Sequence, residues 1–204
     1  MSGLRIYIEG GGDGRRQKRA LRTGFQVFLG SLRDAARARR VRWDVILCGG
    51  RQAAFEDYCT AFRTHPDSVN ILLVDAESSV ENTPWRHLDA RDGWKDPGVG
   101  DACCHLMVQT VEAWLIADPD VLEDYYGRDF LRGSLPRTAD VEAIPKSDLL
   151  RSLEAASRPT QKGKYAKLRH CADLLARVSP DKVRNRARHC DRLFSEVKER
   201  IGEL

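Results

Sequence analysis

Ile6-Tyr7-Ile8-Glu9-Gly10-Gly11-Gly12-Asp13 and Ile71-Leu72-Leu73-Val74-Asp75-Ala76-Glu77 decide the fold of this chain. Each is a short apolar run that stops at carboxylates, the pattern of a buried parallel strand delivering charge to the end of a sheet. Parallel strands present their C-terminal ends together. As neighbours, these two would bring Glu9, Asp13, Asp75 and Glu77 to one edge, where the acids repel one another unless a cation lies between them. Oxygen donors select hard divalent cations, Mg²⁺ above all, with Mn²⁺ as the alternative.

The glycine-rich turn after Glu9 leads into Leu21, Phe25, Phe28, Leu29 and Leu32, a spacing that predicts one amphipathic helix. Residues 41–48 read as a second strand, which Gly49-Gly50 turns into a helix with Phe55, Tyr58, Cys59 and Phe62 on one face; residues 69–74 read as a third strand. This alternation predicts an α/β fold, a mainly parallel sheet flanked by helices with right-handed crossovers. Residues 76–101 are too long for an ordinary connection and predict a lid or a docking loop, fastened by Trp85 and Trp94. Residues 104–108 read as a short fourth strand before a helix with Val111, Trp114 and Leu115, and Glu112 lies in its first turn. Beyond Pro119 the chain reads as helical, and its last helix is expected to open at the Ser179-Pro180 cap and run unbroken through Ile201. The expected division is an α/β core over residues 1–118 and a helical, basic C-terminal extension over 119–204 packed on it.

The chain has 204 residues and a net charge of +4. Residues 146–204 hold 15 Lys and Arg against 8 Asp and Glu, a balance of +7, while the first 145 hold 19 against 22, a balance of −3. An acidic catalytic part joined to a basic part suits an enzyme acting on polyphosphate or nucleic acid; solvated helix faces would give the same count. Six cysteines without CxxC spacing read as buried free thiols in a reducing compartment. No stretch resembles a signal peptide or approaches the roughly 18 apolar residues of a membrane span, so a cytoplasmic protein that engages no membrane is expected.

The glycines at 10–12 do not make a nucleotide cradle: GxxxxGK[ST] is absent, and Arg15 occupies the last glycine position of GxGxxG. Gly10 would instead let a phosphate or metal approach the backbone beside Glu9, and Asp13 would reach back toward the same ion. Arg51, Lys146, Lys162, Lys164 and Lys167 are candidates to hold phosphate or to stabilise charge on a transferred phosphoryl group, against the plainer reading of solvated or ion-paired surface residues. His105 reads as a core histidine ahead of a base, and the pairs His170-Cys171 and His189-Cys190 point in different directions from a helix, which argues against zinc.

Glu9-Gly10 closing one strand and Asp75-Ala76-Glu77 closing another resemble the Toprim domain of topoisomerases, primases and OLD-type nucleases. A wider set resembles the DUF4276 family of Toprim-like proteins: Cys48-Gly49-Gly50-Arg51, Leu106-Met107-Val108-Gln109, Glu112-Ala113-Trp114-Leu115 and Gly163-Lys164-Tyr165-Ala166-Lys167. The resemblance implies that Glu9 is a metal ligand or general base and that Asp75 and Glu77 ligate Mg²⁺, with Asp13 and Glu112 matching further acids of the OLD-type site. The motif departs from Asp-x-Asp in ending on glutamate. It also implies work beside an ATPase in bacterial phage defence. The expected function is a metal-dependent nuclease with Glu9, Asp75, Glu77, Lys146 and Lys167 as catalytic residues, Glu9, Asp13, Asp75, Glu77 and Glu112 at the metal, and Gly10, Arg51 and Lys164 at phosphate. The alternatives are a non-catalytic nucleic-acid or nucleotide-binding module activated by a partner ATPase, and nucleotidyl or phosphoryl transfer on a small molecule.

Overall fold

Four parallel strands form one sheet in the computed structural model, which describes residues 3–204. They are β1 (Gly3–Glu9), β2 (Arg42–Gly49), β3 (Ser68–Asp75) and β4 (Cys104–Met107), in the order β2-β1-β3-β4. Helices α1 (Arg15–Phe28) and α2 (Gly30–Ala38) join β1 to β2, α3 (Arg51–Thr64) joins β2 to β3, and α4 (Pro84–Asp92) lies between β3 and β4. Six more follow: α5 (Val111–Ile116), α6 (Pro119–Tyr126), α7 (Lys146–Ser157), α8 (Lys167–Leu175), α9 (Pro180–Arg184) and α10 (Arg188–Glu203). No helix among the described residues is long and apolar enough to cross a membrane.

The strands alternate faces, as a pleated backbone requires. Leu4, Ile6, Ile8, Ile71 and Leu73 face the side covered by α1, α2 and the C-terminal helices, while Tyr7, Leu72 and Val74 face α3 and α4. The first layer is one continuous apolar cluster from Leu4 to Ile201, so residues 119–204 complete the same core as the sheet. Trp114 at its centre is fully buried and stacks on Phe28 with ring centroids 5.0 Å apart. Two helices approach closely at Gly24 of α1, where an added Cβ would lie 2.7 Å from the backbone oxygen of Ala172 in α8.

Two expected helices are broken. The stripe Leu21 to Leu32 divides at Leu29, since Gly30 is a poor helix former and opens α2, yet both pieces keep their apolar residues on the core. The last helix also divides: Ser179 caps α9 as expected, but the chain leaves helix at 185–187. Tertiary hydrogen bonds hold that break, because the Arg186 guanidinium donates to the carbonyls of Ala117 and Thr138, and Glu142 accepts from the His189 backbone N–H. Residues 76–101 are a docked segment containing α4 and not an open lid. Trp94 stacks on Phe55 at 4.5 Å, and the Trp85 indole donates to Gly100 O.

The cysteines are free; five are buried and Cys59 is half-buried. His105 is a core histidine, fully buried, with Nε2 3.2 Å from Ala102 O, and burial pulls its pKa down to about 3. The unfolded chain takes up that proton near pH 6.5 and the folded chain does not, so stability falls as pH drops from about 6.5 toward 3. Chemical denaturation from pH 7 to 4 should show a shallower loss in His105→Gln than in the wild type. A second expectation tests the α1–α8 approach. Glycine to alanine inside a helix ordinarily stabilises by roughly 0.5–1 kcal/mol, as Gly202→Ala, with open space around it, should do. Gly24→Ala should instead cost about 1–3 kcal/mol by overpacking, read from the melting temperature.

Candidate active site

Glu9 ends β1 and Asp75 ends β3, its parallel neighbour, with Ile8, one residue before Glu9, opposite Leu73, two residues before Asp75. The Asp75 backbone N–H donates to Glu9 Oε2 at 3.3 Å. β1 and β3 are also where the winding reverses, since the chain leaves β1 toward β2 on one side and returns to β3 on the other, the usual place for a site in an open α/β sheet. Glu77 is turned back to the same point by a left-handed backbone, φ +70°, fixed by its N–H donating to Gln109 O at 2.7 Å. That conformation costs a non-glycine residue roughly 1–2 kcal/mol. The result is that carboxylate oxygens of Glu9, Asp75 and Glu77 all lie within 4.8 Å of one another.

Three basic side chains hold this acid cluster. The Arg51 guanidinium bonds Glu9 Oε2 at 3.1 Å and Asp75 O, while its other nitrogens grip Asp92 at 2.7 and 3.1 Å. Lys146 pairs with Glu77. Lys167, reaching in from α8, sits 2.9 Å from Asp75 Oδ2 and 3.4 Å from Glu112 Oε2, and the Tyr165 hydroxyl donates to the other Glu112 oxygen at 3.0 Å. The second Asp75 oxygen accepts the Val111 N–H at 2.8 Å. Four acids thus face three bases, one of them shared with Asp92. Burial pushes the Glu9 carboxyl above its ordinary range, and the Asp75 and Glu77 charges add to the push beyond what Arg51 and Lys167 relieve. Burial likewise raises Asp75, against the pull of Lys167. Burial alone would lower Lys167, but Asp75 and Glu112 outweigh it and keep the ammonium charged.

A cavity of about 180 Å³ opens on the cluster. Glu9, Asp75 and Lys167 form its polar end, Leu21, Phe25 and Val111 are part of its apolar end, and the backbone of Gly10–Gly12 forms one wall. Gly10 has φ +134°, and an added Cβ would strike Leu21 at 2.8 Å, so the wall stays bare of side chains. On the other side of Lys167 lies a second cavity of about 440 Å³, lined by Thr110, Glu112, Lys146, Ser147 and Leu150.

Of the residues singled out from sequence, Glu9, Asp75 and Glu77 come together, and Lys146, Lys167 and Arg51 bind them directly. Glu112 is buried one lysine away from the cluster. Asp13 is exposed and outside the group of three. Lys164 pairs with Glu154 on α7, and Lys162 lies over the Tyr125 ring. Arg51 has its guanidinium committed to carboxylates and stacked 5.0 Å from Trp94, so it orders the acids in place of standing open to a phosphate. Sequence reasoning missed Asp92 and Gln109, which orient Arg51, Glu77 and the Lys146 backbone. A lone acid inside a helix and a lone amide after a strand carry no signal.

The sequence pattern described as "Domain of unknown function (DUF4276)" matches residues 8–198. The chain belongs to the DUF4276 family. No curated protein matches it. Among solved structures, the DUF4276 chain is similar to the C-terminal region of the Xanthomonas campestris pv. campestris OLD protein, phased with platinum. The likeness covers 99% of this chain and 95% of that one, at 19% identity and a TM-score of 0.47, too loose to carry any chemistry across.

The donor set fits a hard divalent cation: three carboxylates that converge on one point, two of them raised above their ordinary pKa chiefly by burial. Lys167→Met would leave Asp75 and Glu112 without their shared ammonium. Its melting temperature in EDTA should fall below the wild type's, and Mg²⁺ or Mn²⁺ should raise it by more than either raises the wild type, as read by thermal denaturation.

Proposed function

We propose that this DUF4276 protein is a Toprim-like, metal-dependent phosphodiesterase acting on nucleic acid. The observation that carries the proposal is the convergence of Glu9, Asp75 and Glu77 within 4.8 Å at the carboxyl edge of a parallel sheet, beside a cavity with a glycine wall. Glu9, Asp75 and Glu77 would hold Mg²⁺ or Mn²⁺, which when bound supplies Lewis-acid polarisation of phosphoryl oxygens. Glu9, which lines the cavity, would alternatively accept the proton of an attacking water. The charged Lys167 lines the same cavity, where it would offset negative charge growing on the phosphoryl group. Lys146 steadies Glu77, whose left-handed backbone turns its carboxylate toward Glu9 and Asp75. Gly10 to Gly12 let a phosphate come close to the backbone.

One observation favours a second reading. Each acid of the cluster already has a basic partner, the arrangement expected of a closed ion-pair network in a binding module that leaves chemistry to a partner ATPase. Glu9→Gln and Asp75→Asn separate the two, because each removes ligand charge at nearly constant volume. In a phosphodiesterase each substitution abolishes Mg²⁺-dependent cleavage while the melting temperature in EDTA stays level or rises. The measurement belongs on the complete assembly with any partner ATPase. Cleavage that survives both substitutions there moves the chemistry away from this site.

A further inference from the structure

From Gly14 to Arg33 the chain has no acidic residue, yet α1 carries Arg15, Arg16, Lys18, Arg19 and Arg22. Leu21, Phe25 and Phe28 bury one side of this helix in the core. At 100° per residue, Arg16 and Arg19 fall opposite that side, with Arg15 and Arg22 flanking them, and all four are exposed. None of the four side chains forms an ion pair or hydrogen bond among the described residues, and Lys18 bonds only the carbonyl of Cys48, at 3.0 Å.

The arrangement works against the helix that bears it. Like charges at i,i+3 and i,i+4, such as Arg15–Arg19 and Lys18–Arg22, each destabilise by roughly 0.2–0.5 kcal/mol. Cations in a first turn also oppose the helix dipole. The basic C-terminal region behaves in the opposite way: Lys164 pairs with Glu154, Lys182 with Asp118 and Asp120, Arg184 with Asp191, Arg192 with Glu196, and Arg200 with Glu203. Lys146, Lys167, Lys182 and Arg188 pair with acids outside 146–204 and so take up much of the excess of +7, whereas α1 carries four unpaired arginines within eight residues.

We propose that the exposed face of α1 is a binding surface for the sugar-phosphate backbone of nucleic acid, which it leads to and from the Glu9–Asp75–Glu77 site. Because α1 follows β1, its first turn lies at the same sheet edge as Glu9, and Arg22 lies about 10 Å further along the axis. A row of guanidiniums matches a chain of phosphates better than a single anion. The face carries no aromatic platform, so binding to it is independent of base sequence. A lipid surface fits poorly, since a helix that lies in a membrane must turn its apolar side to the acyl chains, and here that side is in the core. The phosphodiesterase reading supplies the kind of polyanion; the location rests on α1 alone.

The test is equilibrium binding of the full chain, in EDTA so that nothing is cut, to a fluorescently labelled random-sequence DNA duplex across a salt series. Replacing Arg15, Arg16, Arg19 and Arg22 together by Gln should weaken binding at least tenfold near 0.1 M salt. It should also flatten the slope of log K against log salt by about 3 to 4, at roughly 0.9 for each phosphate no longer neutralised. The melting temperature should hold or rise, which separates a weakened binding surface from a misfolded chain. Arg158→Gln with Lys198→Gln, two C-terminal cations without partners among the described residues, should leave affinity within about twofold. Unchanged affinity and slope in the α1 variant, no binding by the wild type at low salt, or equally tight binding to anionic phospholipid vesicles would each overturn the proposal. Binding is read without cleavage, so a failure of Glu9 as a catalytic residue leaves this result standing.

Discussion

Everything around the site answers to one electrostatic constraint: two carboxylates end adjacent parallel strands about as close as strand spacing allows, and a third is turned in upon them. Bare, such a cluster would push the strand ends apart or take up protons. The protein holds it with cations delivered from three distant parts of the chain, Arg51 at the start of α3, Lys146 at the start of α7 and Lys167 at the start of α8. Each lies in the first turn of its helix, where its own charge is disfavoured by the dipole and acquires a compensating acid.

These deliveries explain why the C-terminal helices cannot be regarded as an appendage. Lys167 reaches Asp75 because α8 lies against α1, and α8 lies there because Gly24 has no side chain to hold it off. Packing in the apolar layer and charge balance at the sheet edge are thus set by the same helix pair. The docked segment on the other face plays a similar part: α4 brings Asp92 to Arg51, and Trp94 backs the guanidinium.

The strand-end acids were legible in the sequence because an apolar run that stops at a carboxylate is a local pattern, and the parallel sheet followed from alternation. Helix continuity was not legible at Leu29 or at 185–187, where the apolar spacing carries across breaks held by Gly30 and by the half-buried Arg186. Net charge misled in a specific way. A count over residues 146–204 cannot show that Lys146, Lys167 and Lys182 are matched by acids from the first 145 residues, nor that α1, within a region of negative balance, carries a run of unpaired arginines. Asp92 and Gln109 were silent because their roles exist only once segments far apart in sequence have met.

Asp75 and Lys167 are separated by 92 positions. During synthesis the acids of the sheet edge leave the ribosome long before the lysine that balances them, and a chain ending anywhere before α8 holds an unfinished, self-repelling site. Under the proposed function, late arrival of the final charge would act as a safeguard: incomplete products of interrupted translation lack Lys167.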